Sequence, residues 1–203
     1  MLAVIDYGVG NLFSLSCALE ALGVNFCITD DQNKLIKADR IILPGVGAFG
    51  DAIRQFRASG LEAPLAKAAS QGKPILGICV GMQLLFEAGY EFGEHEGLGF
   101  IKGSIHSLRD DIPPELKIPH IGWNSLKIQK PDDPIFRYIK QNDYAYYVHS
   151  FYAKGCEKSV LACSQYGVEI PGVVKNKNVY GTQFHPEKSG EVGQGILKAF
   201  CEL

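Results

Sequence analysis

The segment KPILGICVGMQLLFEAG, from Lys73 to Gly89, constrains the fold more than any other part of the chain. Its first apolar run, Ile75 to Ile78, has the pattern of a strand that is buried on both faces. Beyond Cys79 the apolar residues recur at helical intervals, and we expect a helix that ends at Gly89. A buried strand that turns directly into a helix is typical of a parallel sheet covered by helices, and Cys79 lies at the turn.

Glycines two positions before and two positions after Cys79 fit a tight strand-to-helix turn. Such a turn strains the backbone of its central residue and leaves no room for side chains at Gly77 and Gly81. The start of the helix places a partial positive charge beside the sulfur and favours the reactive thiolate. The backbone N–H of Val80 points to the same place and can stabilise an oxyanion. The pattern predicts a nucleophilic cysteine, although this segment alone fits a structural cysteine equally well.

The rest of the chain indicates two kinds of sheet within one fold. Strands and helices alternate before Cys79, which favours a parallel sheet. These segments are strands at 2–5, 24–29, 40–43 and 75–78, helices at 12–22, 48–59 and 61–70, and a short helical or irregular link at 36–39. After a predicted loop at 90–100, short β-like runs indicate a more antiparallel half that ends in a helix. These lie at 101–108, 126–129, 144–153, 159–165, 168–174, 179–184 and, for the helix, 192–200.

We therefore predict an α/β fold of three layers. It has a mostly parallel central sheet with flanking helices and an antiparallel β extension in the C-terminal half. A chain of 203 residues is long enough for a substantial core, and we expect a single domain over residues 1–203.

The composition narrows the class of protein. Hydrophobic residues make up 46% and charged residues 21% of the chain, which are ordinary values for a soluble globular protein. The net charge of -2 and the lack of a basic block give no support for nucleic-acid binding. The six cysteines lack C-x-x-C spacing, so we expect free thiols and no metal site. With neither a signal-peptide pattern nor a long apolar segment, we predict a cytoplasmic protein without a membrane span.

A second glycine-rich stretch, PGVGAFG at Pro44 to Gly50, follows a predicted strand and precedes a predicted helix. Its three glycines allow a backbone whose N–H groups face an anion or a developing oxyanion, and a plain glycine-rich turn is the alternative. The letters GVGAFG also match the dinucleotide fingerprint G-x-G-x-x-G. That fingerprint normally lies at the first strand-to-helix turn, and DYGVGN at that turn lacks the third glycine. We therefore predict no cofactor.

His185 and Glu187 lie two residues apart at the end of the last predicted strand, in FHPEKS. In an extended chain they would share a face, where a carboxylate can fix the imidazole tautomer and support its charged form. Such an imidazole can take a proton from a thiol. A His-x-Glu pair alone is usually part of a solvated loop, but its position after a buried run favours a function.

The other histidines and the single tryptophan give weaker signals. His95, His106 and His120 have no metal-ligand spacing, and we expect them on the surface or satisfied in the core. His149 is expected to be buried in a central strand. Trp123 fits either the core or a partner contact, and periodicity does not decide between them.

Together these motifs resemble those of the class I, or triad, glutamine amidotransferases. The resemblance rests on GICVGMQ around Cys79, on FHPEKS around His185 and Glu187, and on the chain order of glycine loop, cysteine and His-x-Glu. Finer motifs are similar to those of the glutaminase subunits of imidazole glycerol phosphate synthases, and they cover essentially the whole chain. These motifs are DYGVGN, PGVGAFG, CVGMQLLFE, GLGFIKG, PHIGWN and HSFY. Related subunits that act on chorismate typically carry proline at the position of Val46.

The resemblance implies a catalytic triad and a set of substrate contacts. Cys79 would attack the side-chain amide of L-glutamine, His185 would act as general base and then as acid, and Glu187 would orient His185. The implied oxyanion hole consists of the backbone amides of Val80, Val46 and Gly47. The implied substrate-binding residues are Gln83, Ser150, Phe151 and Glu91.

The resemblance also implies a partner. This is a (β/α)8-barrel cyclase subunit, bound as a heterodimer, and Asn11, Trp123 and Lys188 would face it. L-glutamine would be hydrolysed to glutamate and ammonia through a cysteine thioester. The ammonia would pass to the cyclase, which makes imidazole glycerol phosphate and aminoimidazole carboxamide ribotide in histidine biosynthesis. No cofactor, metal, nucleic acid or membrane is implied.

Three other functions are considered beside this one. A paralogous glutaminase would supply ammonia to another acceptor synthase, such as a sugar amidotransferase. A cysteine hydrolase or peptidase with a similar turn is disfavoured by Gln83 and by the complete HPEK element. A non-catalytic binding subunit is disfavoured because Cys79, His185 and Glu187 are all present.

Overall fold

Fourteen strands form three sheets in the computed structural model, which describes residues 1–203. The strands are β1 Leu2–Ile5, β2 Phe26–Thr29, β3 Arg40–Leu43, β4 Ile75–Ile78, β5 Phe86–Gly89, β6 His95–Glu96, β7 Ile101–Ser107, β8 His120–Ser125, β9 Lys127–Ile128, β10 Tyr144–His149, β11 Phe151–Lys154, β12 Val160–Tyr166, β13 Val168–Asn176 and β14 Val179–Thr182. The α-helices are α1 Leu12–Ala21, α2 Gln32–Lys37, α3 Phe49–Ala58, α4 Glu62–Ser70, α5 Val80–Leu84 and α6 Gly190–Cys201. A 3₁₀ turn at Pro186–Lys188 connects the last strand to α6.

The central sheet has eight strands in the order β2-β1-β3-β4-β14-β13-β12-β9. Neighbouring strands from β2 to β14 are parallel. The strands β13, β12 and β9 continue the same sheet in antiparallel pairs. This arrangement confirms the predicted α/β fold, with a mostly parallel sheet and an antiparallel extension from the C-terminal half.

The path of the chain explains why helices cover both faces of the central sheet. From β1 the chain runs to β2 at the edge, and then back past β1 to β3 and on to β4. Because parallel crossovers are right-handed, this reversal places α1 on one face and α2 and α4 on the other. Every residue of β1 and β4 is buried, which explains their continuous apolar sequences LAVI and ILGI. One core of 55 buried hydrophobic residues joins the sheet and its helices.

The strand predicted at 144–153 is two strands in the structure, and each belongs to a different one of the two smaller sheets. The first part, β10, pairs with β8, whereas the second part, β11, pairs with β7 in a sheet of order β11-β7-β5-β6. Ser150 is the residue at which the chain passes from one sheet to the other, and its carbonyl accepts a hydrogen bond from the Leu108 N–H at 2.9 Å. The prediction of one continuous strand was wrong because its two halves have different pairing partners.

The predicted helix after Cys79 is much shorter than expected. It ends at Leu84, and Phe86–Gly89 forms β5 instead. Gly89 pairs with β6 on one side and with β7 on the other. A Cβ atom at Gly89 would lie 2.6 Å from the Phe49 ring, so the glycine allows a close approach and does not end a helix.

Besides β5, two further segments hold strands that were not predicted. The 90–100 loop contains the short strand β6, and β8 begins at the histidine of PHIGWN and ends at Ser125. None of the six helices combines the length and the apolar character needed to cross a bilayer.

Candidate active site

Cys79 lies between β4 and α5 in a backbone conformation that is unusual for a side chain other than glycine, with φ 54° and ψ −112°. The two flanking glycines are explained by close contacts. A Cβ atom at Gly77 would lie 2.6 Å from Met82 Cα, and one at Gly81 would lie 1.9 Å from the Leu43 carbonyl oxygen. The tight strand-to-helix turn predicted from the glycine spacing is therefore present.

His185 lies close to Cys79 because β14 is the parallel neighbour of β4. Thr182 is opposite Ile78, and the Cys79 N–H donates to the Thr182 carbonyl at 2.8 Å. The carboxyl ends of adjacent parallel strands lie at one edge of a sheet, where α/β proteins commonly bind ligands. His185 follows the end of β14 by three residues and reaches the same edge.

His185 and Glu187 form a buried pair in which Nδ1 and Oε1 are 2.8 Å apart. Their side chains are only 4% and 3% exposed. The pair does not lie in extended chain, as its spacing predicted, because β14 ends at Thr182 and the backbone turns through 3₁₀ geometry at Pro186–Lys188. The Ser189 hydroxyl donates to the His185 carbonyl at 2.7 Å and stabilises this turn.

The surroundings of His185 favour its charged form. Burial alone lowers the pKa of the imidazole, but the neighbouring Cys79 side chain and the hydrogen-bonded Glu187 carboxylate outweigh burial and raise the pKa to about 10. An imidazolium at this position stabilises a thiolate at Cys79, which is the nucleophilic form of the side chain.

One cavity of about 360 Å³ brings the predicted residues together. It is lined by the candidate nucleophile, the candidate base, and every residue predicted for the oxyanion hole and for substrate contacts. These residues are Cys79, His185, Val46, Gly47, Val80, Gln83, Glu91, Ser150 and Phe151, and Lys188 lies there too. Glu187 lies behind His185, as expected of a residue that orients it.

The glycine loop packs directly against the cysteine turn. A Cβ atom at Gly45 would lie 2.4 Å from the Gly81 nitrogen, so only glycine allows this approach. The Tyr7 hydroxyl donates to the Pro44 carbonyl at 3.0 Å and holds the start of the loop. Gly47 has a φ of 89°, which turns the loop toward α3.

Glu91 holds the other end of the loop. Its carboxylate accepts a hydrogen bond of 2.8 Å from the backbone N–H of Phe49, the first residue of α3. A carboxylate is favoured at a helix N-terminus. Glu91 therefore lines the cavity and also fixes the helix that follows the loop.

Gln83 makes hydrogen bonds within the protein from the floor of the cavity. Its Nε2 donates to the Phe151 carbonyl and to Gln183 Oε1, both at 3.1 Å. Gln183 Nε2 in turn donates to Cys79 Sγ at 3.9 Å. Gln83 thus connects the cysteine turn to the backbone at Phe151, which also lines the cavity.

Comparison with known proteins agrees with this geometry. Residues 3–202 match the family described as glutamine amidotransferase class-I. The chain belongs to this family. The chain is accordingly a glutamine amidotransferase, which confirms the enzyme class predicted from its motifs.

Curated relatives cover the chain from end to end. It is 49% identical over its whole length to imidazole glycerol phosphate synthase subunit HisH of Bacillus licheniformis, covering 96% of that protein. It is also 49% identical to the HisH subunit of Caldanaerobacter subterraneus and 44% identical to that of Salinibacter ruber, again over its whole length, covering 98% and 94% of those proteins.

Solved structures of lower sequence identity share the amidotransferase fold. The structure of PurLQS from Thermotoga maritima matches 99% of the chain with a TM-score of 0.75 at 23% identity, covering 97% of that chain. The glutaminase domain of Trypanosoma brucei CTPS with bound acivicin matches 99% of the chain with a TM-score of 0.69 at 17% identity, covering 93% of that chain.

Of the residues predicted to face a partner, Lys188 lines the cavity, and Asn11 lines a smaller pocket that shares Val46 and His185 with it. Asn11 is the N-cap of α1, where its side chain accepts from the Ser14 N–H at 3.4 Å. Trp123 is 55% exposed, which excludes the core alternative, and its ring lies 6.0 Å from that of Tyr146. Lys188 is exposed beside the cavity.

Sequence reasoning missed two groups of polar residues at the amidotransferase site. Gln183 is fully buried in the run before His185, and a buried amide in an apolar run was the available signal. His149 lines the cavity and is hydrogen-bonded to His120, which was expected only on the surface or satisfied in the core. His149 is buried as expected, but its strand β10 pairs with β8 in a separate sheet and is not a central strand. Nothing local in the sequence connects these two histidines.

Proposed function

We propose that the chain is the glutaminase subunit of an imidazole glycerol phosphate synthase. The proposal is supported by its full-length similarity to HisH subunits. The observation that carries the chemistry is that Cys79 and His185 lie at one sheet edge and line a single cavity, with Glu187 hydrogen-bonded to His185. The one-domain organisation and the cytoplasmic location stay predictions.

In the proposed reaction the Cys79 thiolate attacks the side-chain amide carbon of L-glutamine. The C–S bond forms as the carbonyl π electrons move to oxygen, giving a tetrahedral oxyanion. The oxyanion collapses, the C–N bond breaks, and the His185 imidazolium gives its proton to the nitrogen, which leaves as ammonia. Water then attacks the thioester while His185 takes a proton, and glutamate leaves as the thiolate is regenerated.

Glu187 keeps His185 in the orientation that this sequence of proton transfers requires. Its bond to Nδ1 leaves Nε2 as the nitrogen that exchanges the proton with sulfur, leaving group and water. The same carboxylate stabilises the imidazolium that alternates with the neutral ring.

The oxyanion is stabilised by backbone amides in this proposal. The Val80 N–H lies at the start of α5, directly after the nucleophile, and the Val46–Gly47 segment faces the same cavity. Val46 is 38% exposed, and nothing lies within 4 Å of the Cβ position at Gly47. In this proposal a partner that covers the exposed segment would set the direction of its amides, which would make glutaminase activity depend on the partner.

The α-groups of glutamine bind at the chain segment between β10 and β11. Leu108 and Ser150 form a hydrogen-bonded pair, so Phe151, the next position, is a non-hydrogen-bonded one. Its N–H and C=O both point away from β7, on the side where Gln83 contacts the carbonyl. The Phe151 N–H is then available for the α-carboxylate, with Ser150 beside it, and Glu91 is the candidate for the α-amino group.

The partner in this proposal is a (β/α)8-barrel cyclase subunit that forms a heterodimer with the chain. Ile121 and Trp123 are exposed apolar side chains two residues apart on β8, so they share a face that would provide a contact surface for the partner. Together with Asn11 and Lys188 they would seal the cavity against the cyclase, so that ammonia passes to it and not to solvent.

The test measures glutamate release with and without the cyclase subunit. We expect wild type to be strongly activated by the cyclase, and Cys79→Ala to release no glutamate while still binding the cyclase. Undiminished turnover by Cys79→Ala would overturn the role of the nucleophile. A pull-down that recovers a different synthase, and not the barrel cyclase, would favour the paralogous glutaminase.

A further inference from the structure

Besides His185, a second buried histidine, His149, lines the cavity and is paired with His120. His149 and His120 are directly opposite in the β8–β10 pairing, and His120 Nδ1 lies 2.9 Å from His149 Nε2. They are only 6% and 3% exposed. His149 Nδ1 lies 2.9 Å from the Phe151 carbonyl oxygen, the atom that also accepts from Gln83.

The hydrogen-bond partners at the two ends determine where the protons lie. A carbonyl oxygen only accepts, so His149 Nδ1 must carry a proton. At the other end, Asn124 Oδ1 accepts from the Ser125 N–H, which leaves the Asn124 amide NH₂ facing His120 Nε2 at 3.3 Å. An NH₂ group only donates, so His120 Nε2 must be unprotonated.

Both conditions give one consistent arrangement of protons. His120 carries its proton on Nδ1 and donates it to His149 Nε2, and His149 carries its proton on Nδ1 and donates it to Phe151. Both rings are neutral. Burial lowers the pKa of His149 to about 3 and that of His120 to about 4, which agrees with neutral rings.

The Phe151 carbonyl is saturated by this arrangement. It has two lone pairs and accepts from His149 and from Gln83, so it does not contact a substrate. Because the peptide plane is rigid and held from two sides, the adjacent N–H stays directed at the cavity.

The histidine pair is itself held in place by packing. The His120 ring stacks between Tyr147 and Tyr166, with centroid distances of 4.9 and 4.0 Å. His120 begins β8, the strand that also carries Trp123. The pair thus connects the strand on the partner-facing surface to the backbone that binds the α-groups.

We propose that His149 and His120, as two neutral rings both protonated on Nδ1, are positioning residues that fix the Phe151 peptide for the α-carboxylate of glutamine. This rests on the proposed function, because it assigns a role within that glutamine site. Neither ring contacts the reacting amide, so the pair affects the binding of glutamine more than its chemistry.

The kinetic test compares His149→Leu with His149→Asn in the complex with the cyclase. The leucine removes the donor to Phe151, and we expect KM for glutamine to rise about ten-fold while kcat changes by less than about three-fold. The Asn amide nitrogen takes the place of Nδ1, so His149→Asn should restore KM to within about three-fold of wild type. An unchanged KM in His149→Leu, or equal KM values for both variants, would overturn the proposal.

A second measurement does not depend on activity or on the stability of a variant. Nitrogen-15 NMR of histidine-labelled wild type should show protonated Nδ1 and unprotonated Nε2 for both rings at neutral pH. The five histidines are few enough to assign by comparison with His120→Asn and His149→Asn. Protonation on Nε2 of either ring contradicts the inference even if glutamine hydrolysis is confirmed. A wild-type complex that does not hydrolyse glutamine contradicts the proposed function even if both tautomers are as expected.

Discussion

His185 and His149 line the same cavity and are both almost completely buried, yet the structure favours opposite charge states for them. Burial lowers the pKa of each imidazole. His185 has a carboxylate at Nδ1 and a thiol as its second partner, and together these raise its pKa to about 10. His149 has a carbonyl at Nδ1 and a second imidazole at Nε2, so burial is not outweighed and the pKa of His149 is lowered to about 3.

The difference shows that the partners of a buried imidazole decide its function. A carboxylate stabilises a charge that appears and disappears during proton transfer. A carbonyl provides only an acceptor, which fixes the orientation of a neutral ring. The charge on His185 further lowers the pKa of His149, so the cavity favours one imidazolium and not two.

The largest expected effect comes from removing the carboxylate that distinguishes the two histidines. We expect Glu187→Gln to lower kcat by on the order of 10²–10⁴, because His185 loses its charge partner and its fixed tautomer. KM for glutamine should change little, the reverse of the pattern expected for His149→Leu. Steady-state kinetics of the complex measure both values.

The matched control for this variant is Glu191→Gln, which removes an exposed carboxylate from the first turn of α6. It should leave kcat close to that of wild type. If Glu187→Gln raised KM and spared kcat, the two histidines would have the same kind of role, and the comparison between them would fail.

The next effect is the dependence of stability on pH. The pKa of His185 is raised in the folded state. The contribution of His185 to the free energy of unfolding is therefore complete below pH 6.5 and is lost as pH rises through about 10. The pKa of His149 is lowered in the folded state. The contribution of His149 to the free energy of unfolding is therefore complete above pH 6.5 and is lost as pH falls toward about 3. Each group changes the free energy of unfolding by up to about 1.4 kcal/mol per pH unit within its window.

Denaturation curves of wild type and His149→Asn between pH 4 and 7 measure the acid window, where the wild type should lose stability more steeply. An NMR titration measures the charge of His185 directly, and Cys79→Ala should lower its pKa because one neighbour that raises it is lost. Parallel acid curves for wild type and His149→Asn would show that His149 is not held neutral.

The two histidine sites also differ in how far the sequence predicts them. Cys79 with Gly77 and Gly81, and His185 with Glu187, are recognisable because each set lies within a few residues and each geometry is local. The pair of His120 and His149 depends on the register of β8 against β10, across 29 residues. A shift of one residue would place the two side chains on opposite faces, and no local pattern determines that register.

The predicted end of the helix after Cys79 was wrong for a similar reason, because strand pairing with distant residues decides it. The apolar spacing at Leu85 and Phe86 fits a helix, but pairing of Phe86–Gly89 with β6 and β7 overrides it. Local sequence thus predicts the elements that carry the proposed chemistry. It does not predict the pairing that builds the proposed substrate-binding side.

The smallest expected effect comes from Asn124, which contacts His120 at the end of the histidine pair away from Phe151. Asn124→Ala removes the donor to His120 Nε2, but this bond is long, at 3.3 Å, and Asn124 is half-buried, so water can replace the amide. We expect KM for glutamine to rise by about two-fold, well below the change in His149→Leu. Asn25→Ala, at an exposed site far along the chain, is the matched control. If Asn124→Ala and His149→Leu raised KM for glutamine equally, the comparison would change. Asn124 on β8, next to Trp123, would then orient the Phe151 peptide as strongly as the His149 ring does.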